Sequence, residues 1–280
     1  MNSWDIIWWS VMVPISAVNL ILAFYLFWRS MKQKKIEPEN SKYFTILSVM
    51  GLIFISVALY RSIFVSSYPD RMVWFDIILN SPFIVRCLAT FAEISFIGGI
   101  SVILLRFCKE MGVKTCCKAG LWLSGTPYIA IISIILAQPL AFMGLITQHY
   151  IWFFIEEALW ALAFLSITPL VLYGYYLNRK QEVKKTGYTL FLSITMIWCI
   201  GYLIFQCFFA LPFMYFPEIA KTAGNVIPPN AVYISIFDYT VVRDFYSWGG
   251  IGFIIWHSGY FSVCSWMNLI YMSAPRKRYS

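Results

Sequence analysis

The chain has 280 residues, 60% hydrophobic and only 12% charged, where soluble domains carry about 25% charged residues. That balance excludes a water-soluble globular enzyme or binding module. The net charge of +8 sits in short connections between apolar runs rather than on one basic face, so it gives no support for a nucleic-acid-binding surface.

A hydrocarbon core of about 30 Å takes roughly 20 residues of helix. Backbone in lipid must satisfy its own hydrogen bonds, so runs of that length without strand alternation are predicted as helices. The first run, Trp4–Trp28, follows "MNSWD", which has no basic n-region, and is expected to stay as a span rather than to be cleaved as a leader. The second is Tyr43–Ser66 and the third Ile84–Leu105. Between them lies "SYPDRMVWFDIILNSPF", bounded by Pro69 and Pro82, too short to cross and expected to form an interfacial helix. The fourth, fifth and sixth runs are Ala119–Thr147, Tyr150–Leu177 and Thr189–Phe216. Another long connection, Pro217–Ser247, includes the run Ala231–Val242, also too short to cross. The seventh run is Trp248–Met272. The expected fold is all-α: one polytopic seven-transmembrane-helix bundle over residues 1–280, with the two long connections covering its outer mouth.

Orientation follows from the basic residues. Arg29–Lys42 holds five Lys or Arg, Arg106–Lys118 four, Arg179–Lys185 four and Arg276–Arg278 three, which is 16 of the 21 on one side. The positive-inside rule places that side in the cytoplasm, with the N-terminus outside and the C-terminus inside. None of the seven cysteines falls in an outer connection, so free thiols are expected rather than a disulfide framework. Cys116 and Cys117 stand at the inner face, where palmitoylation is chemically feasible. No N-glycosylation sequon is present, since Asn80 is followed by Ser81 and Pro82.

The fifth run, "YIWFFIEEALWALAFLSITPLV", carries two adjacent acids. On a wheel of about 100° per residue with Glu156 at the origin, Glu157 falls near 100° and Trp160 near 40°. The opposite arc holds Ile151, Phe154, Ala158, Leu162, Leu165, Pro169 and Leu172, none charged. Lipid is expected on that arc and the glutamates toward the bundle, roughly 10 Å below the outer surface. In the third run, Arg86, Thr90 and Glu93 share a face. Seven residues of helix separate Arg86 from Glu93, a rise of about 10 Å, so each is expected to find its partner on another helix. In the seventh, His257, Cys264, Asn268 and Tyr271 lie close to one line. Charged residues inside spans mark function more often than structure. The candidate ligand-binding residues are therefore Glu93, Glu156, Glu157, Arg86, His257, Trp152, Trp160 and Asp76. They are expected to form an outward-facing polar pocket rimmed by Trp152, Trp160, Trp248 and Trp256. Acids outnumber bases in the outer half, so a cationic or zwitterionic amphiphile is expected to be preferred over an anionic one.

The stretch "YRSIFVSSYPDRMVWFDIILNSPFIVRCLATFAEISF", with "EEALWAL" and "GYFSVCSWMNL", resembles a family of seven-span membrane proteins of algae and other protists. The likeness runs over most of the chain, through Trp74, Asp76, Arg86, Ala89, Thr90, Glu93, Glu156, Glu157 and Trp160. It implies the seven-helix fold and carries over no activity.

Other seven-span classes fit poorly. A retinal protein needs a lysine in its last span, and Trp248–Met272 has none. "LLRFCKE" and "NLIYM" replace the Asp-Arg-Tyr and Asn-Pro-x-x-Tyr marks of G-protein-coupled receptors. Ceramidase-like hydrolases hold zinc with several histidines, whereas this chain has only His149 and His257. The leading expectation is a multi-pass integral membrane protein binding a small-molecule or lipid ligand, as a receptor-like sensor or transporter. The alternatives are an intramembrane lipid-modifying enzyme using Glu/His acid–base or metal chemistry, and a structural subunit of a membrane complex. No cofactor, no resident metal and no nucleic-acid partner is expected; the lipid bilayer is.

Overall fold

The computed structural model describes residues 3–33, 38–113, 118–180 and 186–273. Cys116 and Cys117, the Arg276–Arg278 tail and the side chain of Trp256 lie outside the described residues.

The described chain is almost entirely helical. Long helices run over Ser3–Gln33 (α1), Ser41–Ile63 (α2), Pro82–Glu110 (α3), Lys118–Thr147 (α4), Tyr150–Lys180 (α5) and Thr186–Phe205 (α6). Helix α6 continues as a π-helix, Gln206–Tyr215, and then as the short α7, Phe216–Thr222. These six helical units are long and apolar enough to cross a membrane, and together they make an all-α multi-pass membrane fold. A further helical stretch follows a second connection: α9, Ile251–Ser258, a π turn at Gly259–Val263 and α10, Cys264–Ser273. It packs against α1 and α2. Most helices outrun the apolar runs by several residues, because backbone hydrogen bonding carries on past the edge of the hydrocarbon.

Prolines within α1, α4 and α5 are absorbed without breaking them. Pro127 cannot bond the carbonyl of Leu123, and the Thr126 hydroxyl donates to that oxygen instead at 2.9 Å. The α4–α5 hairpin is tight because Gly144 has no side chain. A Cβ there would stand 2.8 Å from the Phe153 ring. Its corner turns through Gln148 at φ 57°.

The two ends of the bundle differ. At one end Arg106 donates to Glu110 (2.8 Å) and to Asn40 (3.1 Å), which brings the basic connections 29–42 and 106–118 together. At the other, the connections after α2 and after α7 interlock. Strands Ser66–Ser67 (β1) and Met72–Val73 (β2) pair antiparallel, and β2 pairs parallel with Thr240–Val241 (β3). The expected interfacial helix in 69–82 is therefore mostly strand and turn, with one 3-10 turn at Ile78–Asn80. The reason is that Val73 and Trp74 turn inward, 0% and 2% exposed, and fix an extended register. Between β3 and α9 the Trp248 indole donates to the carbonyl of Val242 (2.9 Å) and stacks on Trp74.

Arg71 pins this cover to the bundle. Its Nη2 donates to the carbonyls of Leu145 and Ile146 (3.2 Å each), which are orphan acceptors at the end of α4. Its Nη1 lies 3.8 Å from Asp238 in the second connection. The short helix α8, Ala231–Phe237, completes that connection.

Candidate functional site

Beneath the cover, three helices bring charged groups together. Arg86 of α3 is 2% exposed, and Glu93 and Glu156 are 5% and 6% exposed. The Arg86 guanidinium donates through both terminal nitrogens to the two oxygens of Glu93, at 3.1 Å each. The expectation that these residues could not pair within one helix fails, because Cα rise ignores side-chain reach. Helical side chains tilt toward the N-terminus, so Glu93 leans back toward Arg86, whose long arm covers the rest. The expectation of partners on other helices also holds. Arg86 Nη1 lies 3.2 Å from Glu156 Oε1 on α5, and Nη2 donates to Gln138 Oε1 on α4 at 2.7 Å. Gln138 in turn donates to Glu93 (3.1 Å). Two-pronged Arg–carboxylate pairs are the strong, geometrically defined kind.

Glu157 turns the other way, about 100° farther round the helix. Its carboxylate accepts from the hydroxyls of Tyr202 (3.2 Å) and Tyr215 (3.3 Å) and from Gln206 Nε2. All three donors come from α6 and its π-helical continuation. Glu157 is only half-buried, whereas Glu93 and Glu156 are sealed. Three carboxylates and one guanidinium thus occupy adjoining networks. Arg61 of α2 adds a second cation nearby, over the rings of Tyr68 (5.3 Å), Tyr260 (4.9 Å) and Phe261 (5.3 Å). The Tyr68 ring also faces the Arg86 guanidinium at 5.6 Å.

The remaining candidates divide. Trp160 is buried, stacks on Phe164 and lies tilted against Tyr202, next to the Glu157 network. Trp152 is partly buried near the start of α5. His257 is apart from the carboxylates. Its ring lies 3.9 Å from that of Phe253, edge-on to Trp8 and Phe261, with Nδ1 3.0 Å from the Phe253 carbonyl. Asp76 is exposed in the cover, beside Tyr239. Burial, and then the Asp76 charge, hold the Tyr239 phenol above its usual range. His149 bonds the carbonyl of Asn225 (3.0 Å) at the α4–α5 corner, so the two histidines serve different neighbourhoods. Among the described residues no group of His, Cys, Asp and Glu is arranged to hold a metal ion. The described cysteines Cys87, Cys108, Cys199, Cys207 and Cys264 are free thiols.

Gln138, Gln206, Tyr202, Tyr215 and Tyr68 belong to the site and were missed by a reading that followed formal charge. Amides in the middle of apolar runs were the available signal, since a buried amide needs partners as a charge does.

The carboxylates line neither of the two best-formed crevices. One, of 240 Å³, lies at the covered end of the bundle between Arg71, Gln148 and Asn225. The other, of 340 Å³, is an apolar furrow between α5 and α6. The polar centre itself is closed. Chemically it can stabilise positive charge or exchange protons between carboxylates and phenols, with the amides as hydrogen-bond partners.

Comparison with protein families, with curated proteins and with solved structures gives no match. The resemblance drawn above rests on the quoted residues alone.

Proposed function

We propose that this chain is a seven-span membrane protein, N-terminus outside and C-terminus in the cytoplasm, that binds a small cationic or zwitterionic amphiphile at its outer-half carboxylate centre, as a receptor-like sensor or transporter. Residues 251–273 are the seventh span in this reading, and the concentration of basic residues in alternate connections supports the orientation.

The observation that carries the ligand reading is the surplus of acid: Glu93, Glu156 and Glu157 against one directly bonded guanidinium, Arg86. Each ionised group within a span costs about 2.5–3.5 kcal/mol on insertion scales. Arg86, with Arg61 nearby, offsets part of that cost. A positively charged ligand head, or a proton, offsets the rest. The interlocked connections above the centre suit a site that is closed between binding events. The enzyme alternative draws less support, because His257 packs among aromatic rings away from the glutamates.

The test is to identify what co-purifies. Mass spectrometry of gently extracted protein should find a cationic or zwitterionic amphiphile with the wild type and lose it with Glu156→Gln/Glu157→Gln. An anionic or uncharged molecule retained by both would reject the reading.

A further inference from the structure

The apolar furrow between α5 and α6 runs beside the Glu157 network. Its walls include Ala158, Ala161 and Leu165 on one side and Leu203, Cys207 and Phe208 on the other. Leu165 is 58% and Phe208 66% exposed, so the furrow opens on the outer surface of the bundle, where an acyl environment would lie. It exists because α5 presents two alanines there, and because the facing helix changes to π geometry at Gln206.

Four features connect furrow and polar network. Furrow walls and network are adjacent in sequence, Ala158 following Glu157 and Cys207 following Gln206. Glu157 is the least buried of the three carboxylates. Gln206 is 0% exposed, and while its Nε2 donates to Glu157, its Oε1 has no hydrogen-bond partner among the described residues. A buried acceptor left open costs free energy that a ligand donor would recover. Lastly, the π-helix spans ten residues, Gln206–Tyr215, with Pro212 inside it. Such geometry is rare and frequently found at functional sites.

We propose that this furrow is a lateral entrance from the bilayer, in which the alkyl chain of a primary-ammonium amphiphile lies while its head bonds Glu157 and Gln206 Oε1. The inference rests on the cationic-amphiphile reading and adds its route and head group. A primary ammonium brings three N–H donors, which match the carboxylate and the open amide oxygen. A quaternary ammonium brings none. The alkyl chain replaces lipid in the furrow, and no soluble route through the cover is required.

Cys207, an exposed free thiol on the furrow wall, reports occupancy in the unaltered protein. Peptide-resolved N-ethylmaleimide labelling of Cys207 should slow in dodecylammonium, and not in equal dodecanol, dodecyltrimethylammonium or dodecyl sulfate. Ala161→Trp, which fills the furrow, should weaken dodecylammonium binding by about tenfold or more. Equal protection by dodecanol would mean that the furrow takes any alkyl chain, and would overturn the head-group assignment. If wild type binds dodecylammonium, yet Cys207 is unprotected and Ala161→Trp binds normally, the lateral entrance is wrong and the ligand reading survives. If wild type binds dodecylammonium no better than dodecyl sulfate, both fail.

Discussion

Glu156 and Glu157 are neighbours in sequence and belong to different networks. The first meets Arg86 of α3 at 3.2 Å, and the second takes its hydrogen bonds from Tyr202, Tyr215 and Gln206. One turn of α5 therefore joins two networks through two acids of the same type, one sealed and one partly buried.

The two should respond differently to the same change. Glu157→Gln keeps an acceptor for the tyrosine hydroxyls and is expected to fold as wild type does. Glu156→Gln removes one of the anions around Arg86 and should lower thermal stability modestly. Both are expected to weaken binding of a cationic amphiphile. Melting curves in detergent, read beside binding isotherms, check the split.

Arg86 is the cation on which Glu93 and Glu156 both depend. Arg86→Met strands two buried carboxylates, and breaking a buried pair from one side costs about 3–5 kcal/mol. The expected result is poor yield and aggregation on extraction. Adding Glu93→Met to it should recover part of the loss, since one stranded charge goes with it. A double variant no better than Arg86→Met would show that the ion pair is not what the single change damages.

The lipid-facing arc of α5 can be tested directly. Leu162, Leu165 and Leu172 are exposed, and Ala158 lies on the furrow wall. Ala158→Glu should impair insertion or stability by about 2–3 kcal/mol at the membrane centre, and by less at this depth. Tolerance of Glu at 158 together with silence of Gln at 156 and 157 would reverse the assignment of faces.

The helices were legible in the sequence because a long apolar run in lipid has one way to satisfy its backbone. What each helix touches was less so. Leu162 and Phe164 read alike by hydropathy, yet one is 45% and the other 0% exposed, because lipid and protein neighbours are equally apolar. The strand pairing of Met72 with Thr240 spans two residues and leaves no periodic trace. The π geometry at Gln206–Tyr215 has no residue signature beyond Pro212. Direct pairing of Arg86 with Glu93 was missed because helix rise was counted and side-chain length was not. His257 was grouped with the acids because it is polar, whereas its aromatic ring decides where it packs.

The cover is expected to move as one unit. Arg71→Ala removes charge-assisted hydrogen bonds to the carbonyls of Leu145 and Ile146, of a kind worth about 1.5–3 kcal/mol. Amide exchange should rise in residues 66–73 and 240–242 together, with little change in α3. Faster exchange in the first segment alone would show that β2 and β3 are not coupled.

Topology has its own test. A single cysteine placed between residues 179 and 185 should label with an impermeant reagent only from the cytoplasmic side, and one at Asn225 only from outside. A tag after Ser280 should be cytoplasmic. Labelling of the first two from the same side would contradict the crossing of α6.

The carboxylate surplus is tested most directly by equilibrium binding of one matched pair, dodecylammonium and dodecyl sulfate, to wild type and to Glu156→Gln/Glu157→Gln in the same neutral bilayer. Wild type should prefer the cation by about tenfold or more, and the double substitution should erase most of that preference while the protein stays folded. Tighter binding of dodecyl sulfate by wild type, or a cation preference untouched by the double substitution, would contradict the assignment of these glutamates to a cationic ligand.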